Sequence, residues 1–215
     1  MRVIDCEQGS PEWHTARAGR VTASRIADIM RKTKSGVSAM RATYMGELVA
    51  ERLSGTVNVQ SFRSAAMEWG AETEDQARAH YGFIHDVEPV KVGLVLHPTI
   101  DMAAASPDRL VGDDGLIEIK CPNSSTHIAT LLGKEIDADY LKQIHWQMRC
   151  TGRAWCDFVS FDTRLPAHMQ MFTKRIHADK ALADEIEAAV VAFLAEVDDT
   201  VARLQALYPE TRMAA

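Results

Sequence analysis

Apolar residues follow two kinds of spacing along this chain, and each kind predicts a different element. In the segment 179–207 they recur every three or four residues, as on one face of a helix, whereas apolar and charged residues alternate from Leu116 to Lys120, as in a strand. Such patterns predict helices at 10–17, 22–31, 39–54, 62–82, 124–133, 137–151 and 179–207. They predict strands at 87–97, 99–109, 115–121, 155–162 and 168–177. We therefore expect an α/β fold, a single domain over residues 1–215 with a central mixed β-sheet flanked by helices.

Length and composition are typical of one compact domain. The chain has 215 residues, 47% of them hydrophobic, which is enough to bury a sizeable core. No apolar run approaches the roughly 20 residues of a membrane span, and the N-terminus lacks a secretory pattern, so we expect no membrane contact and a cytoplasmic location. The four cysteines have neither zinc-site nor paired spacing, which favours free thiols: Cys6, Cys121, Cys150 and Cys156.

The strand predicted at 115–121 carries charge on one face only. Glu118 and Lys120 project to one side, while the isoleucines between and before them project into a core. Upstream, Asp108 begins a short apolar run that ends in the turn-forming residues 112–115, so the chain should reverse and bring Asp108 beside Glu118. The two face each other directly only if the turn has an odd number of residues, and the sequence leaves that register open.

Two carboxylates and a lysine on one sheet face suit metal-dependent hydrolysis of a phosphodiester. Mg²⁺ prefers carboxylate oxygens and keeps further positions for water and phosphate. Bound Mg²⁺ or Mn²⁺ would activate a water and polarise the phosphoryl oxygen, and Lys120 would stabilise the developing charge. The alternative is a solvated salt bridge between Glu118 and Lys120 with no chemistry, and this pair alone does not decide the matter.

Four blocks of sequence, spread over nearly the whole chain, follow a family pattern. Residues 12–24 are similar to W-x(3)-R-x-G-x-[VI]-T-A-S, and residues 67–74 to W-G-x(3)-E. Residues 106–122 are similar to S-P-D-G…E-x-K-C-P, except that Arg109 stands where glycine is usual, and residues 140–148 are similar to Y-x(2)-Q-x(4)-M. In these blocks the chain resembles the lambda-type phage exonucleases, or YqaJ-type viral recombinases, and the resemblance implies a restriction-endonuclease-like, PD-(D/E)xK core.

The resemblance implies a metal site and a catalytic lysine. Asp108 and Glu118 would bind Mg²⁺, as two ions, together with the backbone carbonyl of Ile119, and Mn²⁺ would substitute. Lys120 would be the catalytic lysine. Because Arg109 replaces a glycine beside Asp108, the turn there is expected to differ from the family's, with activity retained.

Two helices should approach this site. By resemblance, Glu74 would reach the metal directly or through water, and Gln143 would hold the phosphate or a water. For both, a solvated helix face is the alternative. Tyr140, Gln143 and Gln147 share one helical face. Tyr140 joins the residues expected near DNA, with ordinary packing or solvent contact as the alternative, and for Gln147 that alternative is slightly favoured.

Arg17 and Ser24 would bind the 5′-terminal phosphate, by resemblance. A guanidinium matches a phosphate bidentately, and Thr22 or Ser24 can cap a following helix whose N-terminus favours anions. A plain helix cap for Ser24 and a surface salt bridge for Arg17 are the alternatives.

Three further residues are expected near DNA. Trp13 and Met67 match positions where an apolar side chain could wedge between the last paired bases. Core packing is equally open for both. Lys34 lies in a short basic loop, residues 31–36, for which contact with phosphates is favoured over a merely solvated loop.

The implied activity is an exonuclease that degrades linear double-stranded DNA from the 5′ end, releasing 5′-mononucleotides and leaving 3′ overhangs for recombination. The resemblance also implies a ring-shaped homotrimer, a single-strand annealing protein of the Red-beta type as partner, and a phage or prophage gene acting in a bacterial cytoplasm. A restriction-type endonuclease and a catalytically silent DNA-binding scaffold are the alternatives.

The net charge of −6 is unusual for a protein that binds nucleic acid. Many of the acidic residues fall between 179 and 199, in the predicted C-terminal amphipathic helix. We expect that helix to pack with its apolar face and to lie away from DNA. A ring around the substrate would also let weak contacts suffice.

Overall fold

The computed structural model describes residues 1–33, 36–57 and 65–209, and within the helix that begins at residue 65 it describes the side chains of residue 69 and of residues 73 onward. Two expectations lie outside the described residues. One is Lys34, and the other is the side chain of Met67.

Within these residues the chain forms seven α-helices and ten short strands. The helices are α1 (Pro11–Arg17), α2 (Ile26–Met30), α3 (Ala39–Ser54), α4 (Ala65–His85), α5 (Ser124–Leu131), α6 (Ala138–Thr151) and α7 (Lys180–Leu207). The strands are β1 (Arg2–Ile4), β2 (Val21–Thr22), β3 (Lys32–Thr33), β4 (Gly36–Val37), β5 (Leu94–Leu96), β6 (Ala103–Ala105), β7 (Arg109–Val111), β8 (Gly115–Lys120), β9 (Trp155–Phe161) and β10 (Met171–His177). Single 3₁₀ turns precede α2 and β10, at Ala23–Arg25 and Ala167–Met169.

The fold is α/β with mixed sheets, as the sequence predicts, but the strands form two four-stranded sheets. One has the order β1-β5-β6-β2, with β2 parallel to β6. The other has the order β10-β9-β8-β7, with β8 parallel to β9 and the remaining pairs antiparallel. β3 and β4 pair antiparallel with each other and overlap the segment predicted to be a basic loop.

Two strands are shorter than predicted. The strand expected at 99–109 divides into β6 and β7, and the break falls at Ser106-Pro107-Asp108, where Pro107 has no N–H to donate to a ladder. The strand expected at 87–97 is reduced to β5 and one isolated bridge between Val90 and Leu110. The helix expected at 22–31 begins later, because Thr22 pairs in β2.

The sequence did not predict β1. This strand pairs antiparallel with β5, and the segment that continues from it passes close to Gly93. A Cβ on Gly93 would be 2.3 Å from the carbonyl oxygen of Ile4 and 2.9 Å from the backbone N of Cys6. Both contacts are with backbone, which cannot turn aside as a flexible side chain can. The close approach of these two segments therefore requires glycine.

The turn between β7 and β8 has three residues, so the register is the one that pairs Asp108 with Glu118. Arg109 is opposite Ile117 and Val111 is opposite Gly115. Gly112 adopts φ +52° in the turn. The Nη1 of Arg153 donates to three carbonyls in and beside this turn, those of Val111, Gly112 and Gly115, at 2.8–3.1 Å.

α7 packs along α3 and α6 with its apolar face. Ile186, Val190 and Phe193 are fully buried, and Phe193 stacks on Tyr44 of α3. Its acidic face is partly neutralised within the protein, since Glu196 pairs with Arg41 at 2.8 Å and a second acid, Asp198, pairs with Arg52. Although α7 is long, neither it nor any other described helix is long and apolar enough to cross a membrane.

We predict that Gly93→Ala lowers the free energy of unfolding by about 1–3 kcal/mol, the usual range for overpacking. Its control is Gly46→Ala in α3, where a Cβ meets nothing within 4 Å and alanine should stabilise the helix by about 0.5–1 kcal/mol. Urea denaturation of both variants measures the two effects. Equal stability of Gly93→Ala and the wild type would contradict the close approach of β1.

Candidate active site

β8 places Glu118 and Lys120 on one face of the second sheet. The Nζ of Lys120 lies 2.5 Å from Oε1 of Glu118. Ile117 and Ile119, on the opposite face, pack with Ala77 and other core residues. Glu118 is almost completely buried and Lys120 is partly exposed. Burial opposes the charged form of Lys120, but Glu118 and Asp108 outweigh it and raise the pKa of Lys120 above its usual value, so the ammonium stays charged.

Asp108 lies beside Glu118, as expected from the hairpin. Its Oδ2 accepts a hydrogen bond from the backbone N–H of Ile119 at 2.6 Å, which fixes the carboxylate against β8. Desolvation, and then the negative charges of Glu118 and Glu74, raise the pKa of Asp108 well above its ordinary value of 3.8. The site therefore gathers more negative charge than Lys120 neutralises.

α6 contributes two amides to Glu118. Gln143 donates through Nε2 to Oε1 at 2.6 Å, and Gln147 donates through Nε2 to Oε2 at 2.7 Å. Gln143 thus faces the site, as expected. Gln147 does so too, whereas packing or solvent contact was slightly favoured from the sequence. The signal was its place one turn after Gln143 on the same face.

Tyr140 begins the same helical face and borders Lys120. It is 38% exposed, and its ring centroid lies 4.9 Å from the Nζ of Lys120. Its other neighbour is Phe158 of β9, on which it stacks. An exposed aromatic ring beside the lysine is available to a substrate.

Arg109 connects the hairpin to α4. Its Nη1 donates to Oε1 of Glu74 at 3.1 Å and its Nη2 to Oδ1 of Asp75 at 3.0 Å. Nη1 also donates to the carbonyl of Asp108 at 2.5 Å. Arg109 is 5% exposed and its backbone is not left-handed, so the departure from the family's glycine introduces no strained φ. Glu74 is thereby held near Asp108 by an arginine that the family pattern does not contain.

A second group of expected residues lies around a cavity of about 300 Å³ between α1, the 3₁₀ turn and α3. Trp13, Arg17, Thr22 and Ser24 all line it. The guanidinium of Arg17 lies 3.9 Å from the centroid of the Trp13 ring and donates to Oγ1 of Thr22 at 3.2 Å. Desolvation lowers the pKa of Arg17, which remains a cation. Among the described residues no carboxylate pairs with it, so the salt-bridge alternative is not what the structure has.

The capping expectation for Thr22 and Ser24 was wrong. Thr22 precedes the 3₁₀ turn without a side-chain capping bond, and Ser24 lies within that turn and is exposed. The following helix, α2, begins after Arg25 and has no side-chain cap either. The reason is that the segment tightens into a 3₁₀ turn before it becomes α-helical.

The same cavity contains an arginine that the sequence did not single out. Arg25 lines it, but Asp28 at 2.6 Å and Glu47 at 2.7 Å already pair with this side chain. Two residues of α3 hold the loop after Arg17 at Gly19. Glu51 accepts from the N–H of Gly19 at 2.7 Å, and Arg52 donates to the carbonyl of Gly19 at 3.0 Å.

The cavity and the carboxylates are directly connected. Nε1 of Trp13 donates to Oγ of Ser106 at 2.9 Å, and Ser106 is two residues before Asp108. Trp13 is therefore tied to the strand break as well as to Arg17. This hydrogen bond therefore links the two expected groups of residues.

The donors at Asp108 and Glu118 fit a hard divalent cation. Both offer carboxylate oxygens, and Mg²⁺ is commonly held by one or two carboxylates with waters and substrate phosphates. No group of three His, Cys, Asp or Glu side chains is gathered for a metal anywhere in the described part of the chain. Glu74 is engaged by Arg109, so the set suited to a metal is two carboxylates and the Ile119 carbonyl expected from the family.

Comparison with known families identifies this arrangement. Residues 12–154 match the model of the YqaJ-like viral recombinase domain, which covers all four blocks and both groups of site residues. The chain belongs to this family. No curated protein sequence matches the chain.

Solved structures agree with the family. This YqaJ-like chain is similar to the alkaline exonuclease LHK-Exo of Laribacter hongkongensis, with 50% identity and a TM-score of 0.84 over 91% of this chain and 96% of that one. LHK-Exo in complex with dAMP is similar to the same extent, with a TM-score of 0.85. A phage-related exonuclease from Haemophilus somnus 129PT, at 19% identity and a TM-score of 0.65, over 86% of this chain and 96% of that one, shares the fold. Family and fold support a DNA exonuclease of the restriction-endonuclease-like type.

We predict that Asp108→Asn raises the melting temperature of the metal-free protein at neutral pH. Because the pKa of Asp108 is raised in the folded state, its contribution to stability is fully present below the unfolded value near 3.8 and is lost as pH rises through the folded value. The amide oxygen of asparagine can still accept from Ile119. In EDTA, the melting temperatures of Asp108→Asn and the wild type should therefore be equal near pH 4. The variant's advantage should grow toward neutral pH, by about 2–4 °C for each kcal/mol of repulsion removed.

The matched control is Asp101→Asn, since the side chain of that aspartate is exposed and pairs with Arg2 of β1. It should change the melting temperature little at any pH. A wild type that gains stability over Asp108→Asn as pH rises would show that Asp108 is stabilised in its charged form, against this prediction.

Proposed function

We propose that the protein is a Mg²⁺-dependent exonuclease, with Mn²⁺ as a substitute, that degrades one strand of linear duplex DNA from the 5′ end. The products would be 5′-mononucleotides and a 3′ single-stranded overhang for recombination by strand annealing. The observation that carries the proposal is the convergence of Asp108, Glu118 and Lys120 on one face of β8 and the preceding strand break. The dAMP bound by the half-identical LHK-Exo is a nucleoside monophosphate, which is the class of product proposed.

In this mechanism Asp108, Glu118 and the carbonyl of Ile119 would hold two divalent cations, with Glu74 near them. Such cations lower the pKa of a bound water and polarise the phosphoryl oxygen. Desolvation, and then the negative charges of Glu118 and Glu74, raise the pKa of Asp108, and a bound cation would relieve the repulsion among these carboxylates.

Lys120 and Gln143 supply the remaining chemistry. The charged ammonium of Lys120 would stabilise negative charge as it develops on the phosphate, at a place already lined by the ring of Tyr140. Gln143, fixed to Glu118, has an amide at the edge of the same carboxylate and would orient the phosphate or the attacking water. Neither residue needs to move far, since both already contact Oε1 of Glu118.

Arg17 would give the enzyme its preference for a DNA end. Arg17 is half-buried, and among the described residues its guanidinium is hydrogen-bonded to a hydroxyl alone, so it is well suited to pair with a phosphate, and the ring of Trp13 holds it in place. Ser24, exposed on the same cavity, would donate to the 5′-phosphate, and Trp13 would contact the terminal bases. The rate would then depend on a 5′-phosphate.

We further propose that the protein works as a ring-shaped trimer in the cytoplasm of a bacterial host, with an annealing protein of the Red-beta type. The family's description as a viral recombinase domain supports that setting. The internal pairing of arginines in α3 with acids in α7 leaves few of these cations for DNA, so enclosure by a ring would compensate for weak contacts.

Digestion of end-labelled linear DNA tests the reaction. We expect loss of the 5′-phosphorylated strand in Mg²⁺, no loss in EDTA, and no cutting of a closed circle. Lys120→Gln should lower the rate by about 10²–10³-fold while DNA binding persists, because it removes one stabiliser of the transition-state charge. Cutting of the circle would instead indicate an endonuclease, and metal-independent binding without cutting would indicate a scaffold.

Arg17→Gln should lower the rate on 5′-phosphorylated DNA by about tenfold to a hundredfold, as expected for a charge-assisted hydrogen bond worth roughly 1.5–3 kcal/mol. On DNA with a 5′-hydroxyl the variant and the wild type should be similar. Arg149→Gln is the control, because that half-buried arginine pairs with Glu187 of α7. An equal loss on both substrates would contradict end recognition by Arg17.

A further inference from the structure

Gln147 is the most deeply buried of the side chains that donate to Glu118. It is fully buried, one helical turn after Gln143, and its amide reaches the oxygen of Glu118 that Gln143 does not contact. Oε1 of Glu118 is shared by Lys120 and Gln143, both of which are partly exposed. Oε2 is held by Gln147 inside the protein. The two oxygens therefore have different surroundings.

Packing does not explain why a glutamine occupies this position. The Oε1 of Gln147 is buried and has no hydrogen-bond partner among the described residues. An unsatisfied buried acceptor destabilises a fold, and apolar residues of similar size, such as Ile144 and Met148, fill neighbouring positions of α6. The amide is present despite that cost, and the group to which it donates is Glu118.

The two carboxylates of the site need different kinds of support. Asp108 has a short side chain and is oriented by a backbone N–H, that of Ile119. Glu118 has one more rotatable bond, so a single contact leaves its carboxylate free to turn. A second donor on the other oxygen removes that freedom.

We propose that Gln147 is a positioning residue that fixes the carboxylate plane of Glu118, so that Oε1 is presented on the side of Lys120 and Gln143. This inference rests on the proposed function, in which Glu118 is a metal ligand. It assigns to the chain a second glutamine at the site, acting through Glu118 without contact to substrate.

Mn²⁺ binding by Gln147→Met tests the proposal without any activity measurement. Methionine fills the same volume but donates no hydrogen bond, and loss of such an outer contact typically weakens metal affinity by about 10–100-fold. Calorimetric titration with Mn²⁺ in the absence of DNA should show this loss of affinity, and the rise in melting temperature on adding Mn²⁺ should shrink. Thr151→Val is the control, since Thr151 is buried in the same helix and its hydroxyl, within the described part of the chain, bonds to backbone groups alone.

A measurement on the wild type covers the case in which Gln147→Met does not fold. The side-chain amide signal of Gln147 in a ¹⁵N NMR spectrum should shift when Mg²⁺ is added. The signal of Gln170 should not, because its amide donates to the carbonyls of Thr163 and Leu165.

The outcomes separate this proposal from the proposed function. If the wild type binds Mn²⁺ and Gln147→Met binds it with the same affinity, or if the Gln147 signal is unchanged by Mg²⁺, Gln147 is only structural and the proposal is overturned. If the wild type binds neither cation, the metal-dependent function itself fails. Weaker binding by Gln147→Met with unchanged binding by Thr151→Val supports both.

Discussion

The register of β7 against β8 is the constraint on which the rest of the site depends. Because side chains alternate along a strand, a slip of one residue would turn Glu118 and Lys120 into the core and bring Ile117 and Ile119 to the site face. The three-residue turn at Gly112 excludes that slip, and Arg153 holds the turn through three carbonyls. The ring of Trp155 covers Gly115 so closely that a Cβ there would lie 2.1 Å away. The chemistry is thus fixed by contacts at the opposite end of the hairpin.

Once the register is set, the main difficulty is electrostatic. Asp108 is desolvated, and Glu118 and Glu74 lie close enough for their charges to raise its pKa further. Part of the repulsion is relieved within the chain by Lys120 and Arg109, and part by uncharged donors on α6 and β8. The repulsion that remains is characteristic of functional sites. There the free protein is less stable, and a bound ligand restores the lost stability.

Much of this could be read from the sequence, and what could not depends on distant parts of the chain. The alternation around Glu118, the turn after Asp108 and the shared face of Tyr140 and Gln143 are local patterns, and the structure keeps each of them. The register was open because the length of a turn among four turn-forming residues depends on what packs against it. Hydrogen bonding by Gln147 was missed because a buried glutamine and a solvated one have the same spacing.

Other differences have equally specific causes. The short strand β1 has no pattern of its own and exists because Gly93 lets it approach β5. The effect of Arg109 could not be foreseen from its neighbours in sequence, because its partners Glu74 and Asp75 lie on α4, more than thirty residues earlier. Local propensity favoured a capped helix from residue 22, but pairing of Thr22 with β6 takes precedence there.

The hydrogen bond from Trp13 to Ser106 would, in the proposed reaction, bear on the length of the product. It joins the cavity of Arg17 to a point two residues from Asp108, so the two places are linked by a short path. If a 5′-phosphate binds Arg17, the distance between the two places acts as a ruler. The position of the cut would then be measured from the end of the strand, whatever bases lie in between.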